Sequence, residues 1–187
     1  MQSILPFDEL NRLDEEIRQR FGDAQLTDRR EEEEDIIDEL LDLFLLAYAM
    51  GNSVTNENLS SNYEPSVDDV MKVVDEKVAG KTWRERIEEY FANGGTGADI
   101  ARIADTETHR IANQAAYETA KASGAKEKTW HCMMLPTSRD THIYLDGVTA
   151  PIDGEFYSFK GGSTKFPGQW GIAEEDVNCL CWLSFSK

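Results

Sequence analysis

A chain of 187 residues with 40% apolar residues and 10% aromatics can build one ordinary core, which excludes a disordered protein. Acids outnumber bases 36 to 19 for a net charge of −17, and residues 1–50 alone carry −10 of it. Such a surface repels phosphate backbones and argues against direct DNA binding. Three cysteines cannot all pair, which fits a reducing compartment better than a disulfide scaffold. Residues 1–20 are acidic and amphipathic, without the basic and apolar regions of a signal peptide. The apolar run 40–50 is interrupted by Asp42 and falls short of the ~20 residues a spanning helix needs, so no membrane partner is expected.

Phe7, Leu10, Leu13, Ile17 and Phe21 recur at steps of three and four, one stripe of an amphipathic helix that Pro6 opens and Gly22 ends. A second helix is predicted over 28–50, with Asp28 and Glu31 as a capping box, ending at Gly51. Its apolar face is broad enough to dock another subunit through Ile37, Leu41, Phe44 and Tyr48. Alternatively, that face packs on the first helix and on the C-terminal part. Residues 52–64, rich in Asn and Ser, read as a loop. Pro65-Ser66 opens a third helix, with Val67, Val70, Val74 and Val78 on one face and Gly80 closing it. Thr82 and Glu85 form a capping box for a short helix to about Ala92, and Gly94, Gly95 and Gly97 then make either a hinge or a sharp turn.

The alanine-rich stretch 98–123 is predicted as a long helix with Ile100, Ile103, Ile111 and Ala115 inward and Gly124 at its end. It carries Thr106-Glu107-Thr108-His109-Arg110, where Glu107 can pair with Arg110 and His109 can bond Asn113. This reads as an acid–base site or as a polar stripe on the surface. After Lys128 the period shortens. Strands are predicted over 129–135, 148–152, 155–159 and 179–185, the middle two as a hairpin about Asp153-Gly154, with one helical turn over 138–144. The expected fold class is α+β: a helical region over 1–95, then a module over 96–187 in which a long helix packs on a short, mostly antiparallel sheet.

Cys179 and Cys181 stand two apart on a predicted strand, so both thiols point to one side. With Cys132 and His142 they could complete a tetrahedral zinc site; otherwise they are small core residues, and no cofactor is needed. His131 should face away from Cys132. Arg139 and His142 share one face of a helical turn near Asp140 and Asp146, an arrangement for acid–base chemistry or for stapling a loop. His142, Gly147, Asn178, Cys179 and Cys181 also loosely echo metal-dependent nucleases of the HNH type. The paired histidine and the last catalytic residue of that pattern are absent, so a metal-dependent hydrolase is only an alternative.

One set of residues points to a family. Thr106-Glu107-Thr108 with Arg110, Asn113 and Tyr117 comes first, then Lys128-Thr129-Trp130 and Arg139-Asp140-Thr141-His142. Leu145-Asp146-Gly147, Phe166-Pro167-Gly168 and Asn178-Cys179-Leu180-Cys181 complete the order. Together they resemble the Mu F-like minor head proteins of tailed bacteriophages, also called phage head morphogenesis proteins, over about 98–185. Leu135-Pro136 stands where that family often has an Asp. The resemblance implies a non-enzymatic structural protein of the virion, made in the bacterial host cytoplasm and present in few copies. It would associate with portal and capsid or scaffold proteins and assist head assembly or DNA delivery. It also implies that Thr106, Glu107, Arg110, Trp130, Arg139, His142, Asp146, Gly147, Pro167, Gly168, Asn178, Cys179 and Cys181 are motif residues with structural roles. Relatives fused to toxin domains leave an interaction module of a phage-derived toxin system as a further alternative.

Overall fold

The computed structural model describes residues 7–22 and 25–187; the expectations for Pro6 and for the side chains of Phe7, Leu10 and Leu13 lie outside the described residues. The fold is α+β. Helix α1 (Phe7–Arg20) is followed by a 3-10 turn (Leu26–Glu32) and helices α2 (Glu33–Leu59), α3 (Val67–Val74), α4 (Trp83–Asn93) and α5 (Gly97–Ala122). The remainder runs β1 (Glu127–His131), α6 (Asp140–Leu145), β2 (Thr149–Pro151), β3 (Phe156–Tyr157), β4 (Ser163–Thr164), α7 (Ala173–Asp176) and β5 (Trp182–Ser186). A three-stranded antiparallel sheet has the order β2-β1-β5, with Trp130 opposite Leu183 and Lys128 opposite both Ala150 and Phe185.

Helix α2 departs most from the expectation. It begins at Glu33, five residues after Asp28, which lies in the 3-10 turn, and no capping box forms there. It then runs straight through Gly51 to Leu59, across the stretch expected as a loop. The reason is packing against α5, which overrides weak local propensity. Gly51, Thr55 and Leu59 recur every fourth residue and are all buried, while Asn52 donates from Nδ2 to Thr119 Oγ1 at 2.8 Å. A Cβ at Gly51 would sit 2.3 Å from the Ala112 carbonyl oxygen. Gly51 is therefore the point where two backbones cross, and it does not end the helix.

The same packing corrects the docking face. Ile37, Phe44 and Tyr48 are buried within the chain, and Leu41 is half-buried against the same core. Phe44 meets Trp83 edge-on, with ring centroids 5.0 Å apart. One core runs from Ile17 to Ala115 through α1 to α5, so Ile37, Phe44 and Tyr48 are interior, and of the four only Leu41 keeps part of its surface free. Helix α3 is capped by Ser66 and Asp69 as its sequence suggests but stops at Val74, and Gly80 instead lies in a tight turn bridging Val78 and Lys81. Helix α4 has the expected Thr82–Glu85 capping box. The following glycines form a packed turn: the Leu26 N–H donates to Gly95 O at 2.9 Å, and a Cβ at Gly95 would strike the Tyr90 side chain.

In the C-terminal part, β1 starts two residues earlier than predicted and ends at His131. The hairpin expected about Asp153-Gly154 does not form. β2 pairs with β1, and β3 pairs with β4 across 158–162, so the two halves of the expected hairpin join different sheets. A second core, of Tyr117, Trp130, Leu145, Phe156, Phe166, Trp170, Cys179, Cys181 and Leu183, fills the space between α5 and the sheet.

Candidate functional site

Helix α5 positions most of the motif, and it does so facing inward. The Thr106 to Arg110 stretch is buried throughout, where a surface stripe was one expectation. Arg110 is fully enclosed and bonds in four directions. It donates from Nε to Glu107 Oε2 at 2.6 Å, from Nη1 to Gln114 Oε1 at 2.9 Å, and from Nη2 to the carbonyls of Val73 and Val74 at 3.0 and 3.4 Å. The last two contacts satisfy carbonyls that the end of α3 leaves without helical partners. Glu107 also takes the Arg86 guanidinium from α4. Gln114 and Gln169 each donate to Glu76, at 2.6 Å, and so join the loop after β4 to the segment after α3. The Pro167-Gly168 turn lies against the Arg110 backbone, where φ of +87° and a contact of 3.1 Å to a virtual Cβ both require glycine. A charge pair this deeply buried fixes three helices and a loop in register, and nothing on it faces solvent.

Asn113 reaches the other half: its amide donates to His109 O at 2.9 Å and to Cys181 O at 3.0 Å. The expected Asn113–His109 contact therefore goes to the backbone, not the ring. Thr106 Oγ1 accepts the Asn178 N–H at 3.4 Å, and Asn178 itself turns through a left-handed φ of +54° to bring Cys179 inward.

Three of the four residues considered for a metal converge. His142 Nδ1 lies 3.5 Å from Cys179 Sγ and 3.4 Å from Cys181 Sγ. All three residues are buried, and their candidate ligand atoms lie within 4.8 Å of one another. Cys132 is not in that cluster. It stands half-buried on the wall of an adjoining cleft that His142, Arg139, Asn178 and Cys181 also line. His142 Nε2 lies 3.0 Å from Glu175 Oε2 without an aligned hydrogen bond, and the same carboxylate accepts from Thr141 Oγ1 at 2.8 Å and Ser158 Oγ at 3.2 Å. The ring is held between Trp130 and Trp170, at centroid distances of 5.8 and 6.2 Å. The two thiols titrate as a pair. The hydrogen bond from Cys181, with help from His142, brings Cys179 down to about 5, and the same shared bond together with burial pushes Cys181 up.

The carboxylate partner of His142 was thus missed: Asp140 and Asp146 were expected, and Glu175 holds it. Asp146 instead accepts the Cys132 N–H at 2.8 Å, and Gly147 donates to Trp130 O at 2.8 Å. Arg139 donates to Val177 O, so the loop it staples is the one before Asn178. Glu174-Glu175-Asp176 reads in sequence as a solvated acidic run, and only the fold turns Glu175 and Asp176 inward. His131 faces away as expected, stacked on Trp182 at 4.1 Å.

Lys128, of the Lys-x-Trp motif, is fully buried with its ammonium 4.7 Å from the Tyr117 ring centroid and 5.5 Å from that of Phe156. Burial brings its pKa down to about 8. Because the unfolded lysine stays protonated to about pH 10.4, the unfolded chain binds more protons in between, and stability rises with pH across that window. Lys128→Met should raise the melting temperature at pH 7 and flatten its climb between pH 8 and 10; thermal melts of both proteins across that range read this directly.

Among the described residues no helix is long and apolar enough to cross a membrane. No solved structure matches the chain. It is 32% identical to NAD(+)--arginine ADP-ribosyltransferase EFV of Enterococcus faecalis (strain ATCC 700802 / V583), over 61% of this chain and 30% of that protein. It is 34% identical to Minor head protein GP7 of Bacillus phage SPP1, over 44% of this chain and 28% of that protein. The matches thus span under a third of either relative. The model of the family described as Phage Mu protein F like protein matches residues 56–184, a span that holds Arg110 and its network, the aromatic wall and the His142–Cys179–Cys181 cluster. The chain belongs to that phage family.

Proposed function

We propose that this protein is a minor structural component of a tailed-phage or prophage head, acting in head morphogenesis. It would be present in few copies, associate with the portal and with capsid or scaffold proteins, and assist head assembly or DNA delivery. It would be made in the host cytoplasm and end in the virion. The observation that carries this reading is the family match over 56–184 together with the likeness to a phage minor head protein. The geometry supports a structural role: Glu107, Arg110, His142 and Glu175 are buried and bonded to one another or to backbone, so none is presented to a substrate. A nuclease would need His142 at a phosphodiester, and its side chain is only 3% exposed.

Particles assembled with the chain's own portal and major capsid proteins should contain it at a few copies per portal, by quantitative mass spectrometry. Absence from purified procapsids and virions would overturn the reading. The likeness to an ADP-ribosyltransferase gives a second reading, transfer of ADP-ribose to arginine. Incubation with labelled NAD and an arginine-rich acceptor should label nothing above a no-protein control; transfer would establish the second reading instead.

A further inference from the structure

The His142–Cys179–Cys181 cluster gathers three candidate metal ligands about one point. His142 Nε2 lies 3.0 Å from Glu175 Oε2, and an accepting Nδ1 offers a single lone pair on the other side of the ring. Two thiols nevertheless approach that one acceptor, from 3.5 and 3.4 Å. Only one of them can donate to it at a time, which leaves the other thiol to bond its neighbouring sulfur. A cation at the centre engages all three groups at once, since two thiolates and one imidazole can all donate to it. The spacing fits: zinc with Zn–S near 2.3 Å and Zn–N near 2.0 Å in a tetrahedron sets sulfur and nitrogen about 3.5 Å apart. The surroundings fit as well. Glu175, 1% exposed, lies 3.0 Å from the far nitrogen of the ring, on the side where carboxylates stand behind zinc-binding histidines. Asn113 fixes the Cys181 carbonyl, and the left-handed turn at Asn178 sets the direction of Cys179.

We propose that His142 Nδ1, Cys179 Sγ and Cys181 Sγ bind one zinc ion, with the fourth position facing the cleft that Cys132 lines. The two thiols lose their protons to solvent on binding, and the ion joins the segment leading into β5 to α6, beside Glu175 of α7. The site is a brace between segments that share few strand pairings. A nucleophilic cysteine with a His–Glu relay is the competing use of the same atoms, but Cys179, His142 and Glu175 are each 2% exposed or less. This proposal is independent of the head-protein reading.

The test uses the intact chain, purified under reducing conditions. Elemental analysis should find about one zinc per chain. Cobalt(II) in its place should give the intense visible bands of a tetrahedral ion and a near-ultraviolet thiolate charge-transfer band. Cys132→Ser should keep the full equivalent, whereas Cys179→Ser and Cys181→Ser should each lower it at least tenfold. No bound zinc and no cobalt spectrum would overturn the proposal. So would a Cys179–Cys181 disulfide in the freshly isolated protein that excludes metal. Loss of zinc in Cys132→Ser would overturn the three-residue assignment. The cobalt titration of the unaltered chain decides the matter even if the cysteine variants fail to fold.

Discussion

Arg110→Ala should be strongly destabilising. The substitution strands Glu107 at 1% exposure and removes the donors that reach the end of α3 and hold Gln114. Breaking a buried pair by removing one partner costs ~3–5 kcal/mol, because the survivor keeps its desolvation penalty. A domain of this size has only ~5–15 kcal/mol in total, so a large share of the margin is lost. Arg86 stays with Glu107 and keeps the cost toward the lower end of that range. Lysine is no substitute: a single ammonium cannot span Glu107, Gln114 and two carbonyls that a flat guanidinium reaches at once. Urea unfolding followed by far-ultraviolet circular dichroism should show the midpoint of Arg110→Lys well below that of the unaltered protein and Arg110→Ala lower still.

Gly51→Ala sets two effects against each other. Alanine favours a helix interior over glycine by about 1 kcal/mol. Its Cβ would stand 2.3 Å from the Ala112 carbonyl oxygen, a backbone atom that cannot swing aside. Overpacking of that kind costs ~1–3 kcal/mol or more, and here the whole of α2 must move away from α5. The clash wins, and the variant should be destabilised by about 2 kcal/mol in the same urea experiment, with Gly51→Leu too unstable to purify folded. A gain in stability would mean that the helices cross elsewhere.

These residues also show what a single sequence discloses. Helix α5, the start of α3 near Ser66, the Thr82–Glu85 cap and the order of the C-terminal motif were legible, because period, capping chemistry and turn residues act locally. Gly51 was read as a stop because glycine usually is one, and only the partner helix reveals it as a crossing point. The polar stretch 52–59 looked like a loop for the same reason: Asn52 finds its partner on α5, and Thr55 is buried by packing that the local window does not show. The hairpin about Asp153-Gly154 failed because strand partners are chosen across the whole module, with β1 central and both neighbours distant in sequence. The clustering of His142 with Cys179 and Cys181 was anticipated from ligand chemistry, but Glu175 was hidden in an acidic run that sequence alone assigns to solvent.

Helix α5 is a shared spine, buried on one side by α1 to α4 and on the other by the sheet and its loops, so that the family motif joins both halves. Residues 95 and 96 would then lie inside one cooperative unit, since the core from Ile17 to Ala115 continues across them. Native-state hydrogen exchange of the intact chain, resolved by mass spectrometry, measures this directly. The amides of α2 from Ile36 to Leu59, of α5 from Ile103 to Ala120 and of β5 should exchange only through global opening, at one common free energy that denaturant lowers with one slope. Two separate free energies, one for α2 and another for α5 with β5, would contradict the claim and restore two independently folding parts.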